Sequence, residues 1–372
     1  MRAEAPVPDD VLARIREPFL RHGAERIDPP VLQPLNLLLD LLGESMRARL
    51  FVVQAEGGEE LCLRPDFTVP VLRAHVAAAR TSGCYLYEGR AFRVASAGRP
   101  QEFLQIGLER LGAPRGAEAD ADVAALAWNA ARAGGRDDLS LLLGDVGLFE
   151  AFAAALEIPP VLVARLRRSL GADAAVAEAL DERRGARRAG GGPIAAMLAG
   201  RPEAEAAAML EELWSTTGVQ AVGGRSAADV VRRLSARVAE AEAPAFTAEN
   251  ATLMRRYLAI TGTPEAALAA LAALAREAGV SLDKPLQDWS ARLSALAAAG
   301  VGPSAARLSL GFGRPFAYYD GLLFEVRSAA LGDDQPVAAG GRYDRLPPVL
   351  GAAAAAAVGC MVRPGRAWGG AT

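Results

Sequence analysis

The chain has 372 residues, 51% of them hydrophobic, and a formal net charge of −3. That length can bury a large core and suits more than one domain, and the slightly acidic balance weighs against RNA binding, which favours a net basic face. Lys284 is the only lysine among 41 basic residues, so a lysine-dependent phosphate loop or Schiff base could exist at one position at most. Cys62, Cys84 and Cys360 are odd in number and lack metal-ligand spacing, which fits a reducing cytoplasm and predicts no metal site. The N-terminal MRAEAPVPDD has no apolar signal core, and no apolar run reaches the ~18 residues that membrane spans need.

In chain order, residues 10–22 read as a helix ahead of a sheet, Gly23–Gln33 as an extended entry shaped by prolines such as Pro30, and Asn36–Leu42 as a helix. Leu50–Val53 and Glu60–Leu63 read as a hairpin around Gly57-Gly58. Helices over Thr68–Arg80 and Ala119–Ala133 lead to a buried strand at Leu139–Leu143. From Glu157 to Gly300 the periodicity is helical almost throughout. Leu162, Leu166 and Leu170 form one stripe that stops at Gly171. Ser226 with Asp229 reads as a capping box before Val230, Leu234 and Val238, and Thr263-Pro264 opens a helix that ends at Gly279. Arg183–Pro193, RRGARRAGGGP, reads as an exposed loop. Strands resume at Arg307–Phe312, Tyr318–Val326, Gln335–Gly340 and Ala355–Val362. The expected division is a core over 1–150, a mainly helical insertion over 151–303, and the rest of the core over 304–372.

The most informative stretch is Tyr85–Gly112, two strands around an Arg- and Gly-bearing turn. Along the second strand Leu104, Ile106 and Leu108 alternate with Phe103, Gln105, Gly107 and Glu109. Strand side chains alternate faces, so Gln105 and Glu109 share a surface with Gly107 between them. That arrangement predicts room for a small ligand lying flat over Gly107, surrounded by Gln105, Glu109, Arg93 and Arg99. The plainer reading is a solvated polar face.

Gly89, Phe92, Arg93, Gly98, Arg99, Phe103, Gln105, Gly107 and Glu109 resemble motif 2 of class II aminoacyl-tRNA synthetases, histidyl type. LRPDFTVPVLR at 63–73, RPFAYYDGLLFE at 314–325 and AGGRYDRL at 339–346 resemble three further histidyl-family segments, in the same order. The implied fold is α+β, a class II synthetase-like antiparallel sheet flanked by helices, with a helical insertion. The segment VGCMVRPGRAWGGAT matches motif 3, with Arg366 at the ATP-gripping position, but Pro364 and Gly365 oppose the long helix that follows in synthetases. With no anticodon-binding domain expected either, the chain is most similar to the regulatory subunits of short-form ATP phosphoribosyltransferases.

That resemblance implies a non-catalytic protein with no cofactor, binding L-histidine as an effector and docking a catalytic subunit as a homodimer within a larger hetero-oligomer, without nucleic acid or membrane. Asp66, Thr68, Gln105 and Glu109 would face the amino group. Asp66 stands for a family Glu and Phe67 for a Gly, and Asp66 could instead simply cap the following helix. Arg314 would face the carboxylate, though Pro315 and Ala317 alter its setting. Tyr318 and Tyr319 are expected on opposite faces of a strand, which favours Tyr319 for the imidazole, and Tyr343 is a second ring contact or a packed aromatic. Arg93 would bind the carboxylate or brace Glu109. The competing readings are a truncated histidyl-tRNA synthetase and a paralogue that still activates histidine for another use.

Overall fold

The computed structural model describes residues 4–370 except 57–58, 96–98, 113–114, 172, 182–196, 198–199, 218–225, 243–244 and 314–317. The Gly57-Gly58 turn, Gly98, Arg314 and the Arg183–Pro193 loop therefore lie outside the described residues, as does the Asp229 side chain.

The twelve described strands are β1 (Glu25–Arg26), β2 (Leu32–Pro34), β3 (Val52–Gln54), β4 (Glu60–Leu63), β5 (Gly83–Phe92), β6 (Glu102–Leu111), β7 (Leu139–Asp145), β8 (Thr261–Gly262), β9 (Ala306–Ser309), β10 (Leu322–Ser328), β11 (Ala338–Arg342) and β12 (Ala357–Val362). Nine of them form one sheet in the order β1-β5-β6-β12-β11-β10-β7-β9-β8, antiparallel except for β1–β5 and β7–β9. The other three form a small sheet, β2-β4-β3.

Alternation along β5 and β6 assigns the two faces of the large sheet. Leu86, Ile106 and Leu108 enter a core with Ile15 and Phe19 of α1 (Asp9–Arg21) and Val123, Ala127 and Trp128 of α4 (Ala117–Ala133). On the opposite face, Tyr85, Tyr87, Phe103 and Leu111 pack with Leu35 and Leu38 of α2 (Leu35–Leu42) and Val69 and Leu72 of α3 (Thr68–Ala77). The polar residues singled out above lie on this second face.

The first core continues into α5 (Val146–Ala155) and α6 (Pro160–Ser169), then past α7 (Asp173–Ala179) to α10 (Ala248–Ala259), α11 (Pro264–Glu277) and α12 (Asp283–Ala298). Phe152 of α5 stacks on Tyr257 of α10, with centroids 5.1 Å apart. Thr263 caps α11 by accepting from the Ala266 N–H at 3.3 Å, and Gly279 beyond it takes φ +70°. Helices α8 (Glu203–Thr217) and α9 (Ala227–Glu242) instead share a small cluster of their own around Leu210 and Val231.

Several boundaries differ from expectation. Leu162 and Leu166 are buried in α6, but Leu170 is its C-cap. The strand expected from Tyr318 begins at Leu322; Tyr318 lies in a turn, and Tyr319 and Asp320 belong to no regular element, the Asp320 N–H donating to the Arg342 carbonyl at 3.0 Å. After the short α13 (Leu346–Val349), strand β12 runs into α14 (Pro364–Ala367), a single turn after which Trp368 bridges to Gly135.

Phe152 has no exposed surface, so Phe152→Ala should cost about 3–5 kcal/mol. Urea unfolding followed by both fluorescence and circular dichroism checks this. A loss under 1 kcal/mol would mean that α5 and α10 are not packed into one core.

Candidate functional site

Glu109 stands on β6 with 1% of its surface exposed. Thr68, the first residue of α3, donates its hydroxyl to Glu109 Oε1 at 2.8 Å, and the Tyr343 hydroxyl donates to Oε2. The sheet leaves room for that carboxyl because its neighbour in β12 is Gly359. A Cβ at Gly359 would come within 1.7 Å of Glu109 Oε2, so glycine is required there by close approach.

Gly107 does not leave an open gap. Its cross-strand partner Tyr87 lays its hydroxyl over it, 2.3 Å from where a Cβ would stand, and donates to the Cys360 carbonyl at 3.1 Å. Phe67, at the position where the resembled family has glycine, stacks on the Tyr87 ring at 4.4 Å and 5°. The Arg64 guanidinium lies 4.0 Å from the Phe67 centroid. Phe67 thus holds Tyr87 down over Gly107. The expected space above Gly107 is filled by the protein's own aromatics.

Tyr318 and Tyr319 do not separate onto opposite faces. They precede the strand, so strand parity does not govern them, and both are 7% exposed with ring centroids 4.7 Å apart. Tyr343 meets them edge-on at 5.9 and 6.4 Å. Asp66, two residues before Thr68, is 6% exposed and close enough for its charge to act on Glu109, Tyr87 and Tyr318. The N-cap position of α3 falls on Phe67, which makes no side-chain cap. Gln105 is 1% exposed, and both its amide atoms are buried without a hydrogen-bond partner among the described residues. Unmet polar capacity of that kind costs about 1–3 kcal/mol per group, and a ligand can meet it.

The structure therefore gathers Asp66, Thr68, Glu109, Tyr318, Tyr319 and Tyr343 in one cluster, with Gln105 on the same face. It does not bring Arg93 or Arg99 to Glu109. Arg93 Nε donates to the Pro65 carbonyl at 2.8 Å, and Arg99 pairs with Asp334. Both line a neighbouring concavity of about 350 Å³ with Arg49, Arg363 and Arg366. There the Arg363 guanidinium sits 3.5 Å from the Phe103 ring centroid and pairs with Glu4 at 2.9 Å. Tyr87 was missed from sequence, although its place opposite Gly107 in a hairpin is a recoverable signal.

Burial raises Glu109 from its ordinary 4.5 to about 8, and the nearby Asp66 charge adds to that rise, while the bonds from Tyr343 and Thr68 oppose it. Burial likewise lifts the tyrosine hydroxyls of Tyr87, Tyr318 and Tyr343 well above their usual range, and the Glu109 charge adds to the effect. At neutral pH the site is a protonated carboxyl roofed by neutral phenols. It can receive a cationic group by giving up that proton, and aromatic faces around it suit a flat ring or an ammonium.

Comparison with known proteins bears on the family and the fold. The family model described as histidyl-tRNA synthetase matches residues 2–222 and 206–364. A curated relative from Brucella anthropi, an ATP phosphoribosyltransferase regulatory subunit, is 37% identical over 333 residues, covering 88% of each chain. The chain belongs to the family of ATP phosphoribosyltransferase regulatory subunits. A further relative of that name, from Brucella canis, is 38% identical over the same share. Among solved structures, an ATP phosphoribosyltransferase regulatory subunit/histidyl-tRNA synthetase from Bacillus halodurans matches with a TM-score of 0.67 at 20% identity, covering 100% of this chain and 82% of that one. A histidyl-tRNA synthetase from Nostoc matches at 0.61 and 16% identity, covering 96% and 69%. These structural likenesses establish the class II synthetase-like fold. Among the described residues of this family member, no helix is long and apolar enough to cross a membrane.

The raised Glu109 value fixes the sign of a pH effect. The folded chain holds a proton between pH 4.5 and 8 that the unfolded chain releases, so this stability is complete below 4.5 and is lost as pH rises toward 8. Glu109→Gln keeps the neutral form throughout. It should flatten the stability profile in that window by roughly 1.4 kcal/mol per pH unit, measured by urea unfolding at several pH values. Parallel profiles for the two proteins would place Glu109's proton elsewhere.

Proposed function

We propose that this chain is the regulatory subunit of a short-form ATP phosphoribosyltransferase. In this reading it carries no chemistry of its own, binds L-histidine at the Glu109 cluster, and is required by a separate catalytic chain both for activity and for feedback inhibition in the first step of histidine biosynthesis. The observation that carries it is a fully buried, hydroxyl-held carboxyl on the sheet of a class II synthetase-like core, in a chain whose curated relatives bear the regulatory-subunit name.

The ammonium of histidine would take the place of the Glu109 proton, with Asp66 as a second anion and the Thr68 hydroxyl beside it. Gln105 would lie on that same side, the tyrosines Tyr318, Tyr319 and Tyr343 would face the imidazole, and Arg314 would meet the carboxylate. A site whose buried polar groups are paired only by the right ligand rejects analogues that lack the group. For inhibition, histidine must bind the inactive arrangement of the complex better than the active one, and tenfold inhibition needs only about 1.4 kcal/mol of that preference. Strand β12 is followed at once by the single turn α14, where the resembled synthetases have a long helix, and this supports the regulatory reading over a histidine-activating one.

A homodimer through the small sheet is part of the proposal. Val31, Leu32, Val52 and Val53 are each 37–44% exposed around it, an apolar group that self-association would cover. A reducing cytoplasm suits the three free thiols.

Mixed with a short-form catalytic chain, this protein should switch on phosphoribosyl-ATP formation, and added histidine should reverse the gain. No activation by a well-matched partner would sink the reading and return histidine-dependent ATP–pyrophosphate exchange to the front. In the same assay Asp66→Ala and Glu109→Ala should raise the histidine concentration for half inhibition at least about tenfold while assembly persists on size exclusion. Loss of assembly in both variants would contradict the site assignment.

A further inference from the structure

Helix α12 reaches the sheet through a buried ionic network centred on Asp120 of α4, which is 1% exposed. Asp120 Oδ2 accepts Arg292 Nη2 and Nε at 2.8 and 3.1 Å, and Oδ1 accepts Arg342 Nε at 2.7 Å. Arg292 also lies 3.5 Å from Asp145, whose carboxylate accepts the Trp289 indole N–H at 2.8 Å and caps α5 by accepting from the Leu148 N–H at 3.2 Å. Arg342 bridges onward to Asp344 at 2.8 Å. Replacing such buried ions with apolar side chains is often neutral or stabilising, so stability alone is a poor reason for this network.

Its position suggests another. Arg342 ends β11, and the next residue is Tyr343, whose hydroxyl meets Glu109. The residues around Tyr343 are clamped on both sides. Asp344 Oδ1 accepts the Ala357 N–H at 2.8 Å, and the Asp320 carboxylate accepts the N–H groups of Asp344 and Arg345 at 3.1 and 2.6 Å. Asp120 is the anchor upstream of the tyrosine, and Arg292 holds Asp120 by two of its N–H groups. Without Arg292, Asp120 and Asp145 would lose the cation they share, and Asp120 would be left with Arg342 as its cation among the described residues, so the charge balance that holds Arg342 in place would change.

We infer that Arg292 is a positioning residue for the Glu109 site: through Asp120 and Arg342 it sets where the Tyr343 hydroxyl meets the Glu109 carboxyl, so that α12 and the ligand site are mechanically joined. Its effect on ligand affinity rests on the proposed histidine site, whereas its effect on Glu109 itself does not. The groups facing Glu109 are Thr68 and Asp66 from α3 and the loop before it, Tyr87 from β5, Cys360 from β12, Tyr343 after β11, and Tyr318 and Tyr319 from the loop before β10. Of these, the Tyr343 and Thr68 hydrogen bonds favour the ionised carboxyl. Loosening Tyr343 must therefore move the Glu109 midpoint upward.

The test is a titration of the full ligand-free chain with carbon-13-labelled glutamate carboxyls, the Glu109 signal being assigned by its absence in Glu109→Gln. Tyr343→Phe should raise the midpoint, and Arg292→Met should raise it by about half a pH unit or more, a threefold change in proton affinity. The double variant should titrate like Tyr343→Phe alone, because Arg292 acts through that hydroxyl. An unmoved midpoint in Arg292→Met, or shifts that add in the double variant, would overturn the inference. If Arg292→Met does not fold, Arg292→Lys keeps the charge with a different donor geometry and is read in the same cycle. Histidine titration of the folded variants should show affinity falling roughly three- to tenfold. A wild-type chain that binds no histidine counts against the proposed function and leaves the carboxyl titration to decide this one.

Discussion

A carboxyl removed from water and held by two hydroxyls sets the terms for the rest of this molecule. Glu109 can be neutral in that place only because burial outweighs the bonds from Thr68 and Tyr343. It can fit there only because Gly359 lacks a side chain. The aromatic roof follows from the same constraint: Tyr87, Tyr318, Tyr319 and Tyr343 exclude solvent, and Phe67 with Arg64 presses the Tyr87 ring against the sheet. On the proposed reading a cation would bind here in exchange for that proton, which makes ligand affinity and pH two readings of one equilibrium.

Strand parity and a family resemblance made much of this visible in the sequence. The alternation around Gly107 placed Gln105 and Glu109 on one face, and the AGGRYD and LRPDFT segments supplied Tyr343 and Thr68. What stayed hidden has physical reasons. Tyr318 and Tyr319 come together because they precede β10, where a two-residue period carries no information. Arg93 and Arg99 have long side chains whose heads follow the nearest acceptor, here the Pro65 carbonyl and Asp334, and not the parity of their backbone. Tyr87 fills the space that a glycine had seemed to leave for a ligand, since a glycine in a hairpin frees room for its cross-strand neighbour as readily as for a guest. The bond between Arg292 and Asp120 joins residues 172 positions apart, and no local pattern encodes it.

The helices between residues 151 and 303 divide in their relation to the sheet. Those that carry Phe152, Tyr257, Leu271 and Trp289 share the main core, while α8 and α9 keep a small core of their own. The first group can transmit a displacement to the sheet that carries Glu109, because interiors are close-packed and deform little. The second meets the first through α6. The polar cluster thus faces one side of the sheet, and the packed helices lie against the other.

The most direct test of the account is calorimetry of histidine binding at about pH 7 in two buffers of different ionisation enthalpy. If the ammonium replaces the proton on Glu109, close to one proton should leave per histidine bound, and Glu109→Gln should abolish that release. Histidine that binds with the same apparent enthalpy in both buffers would mean that no proton is exchanged, and the carboxyl would not be the group that receives it.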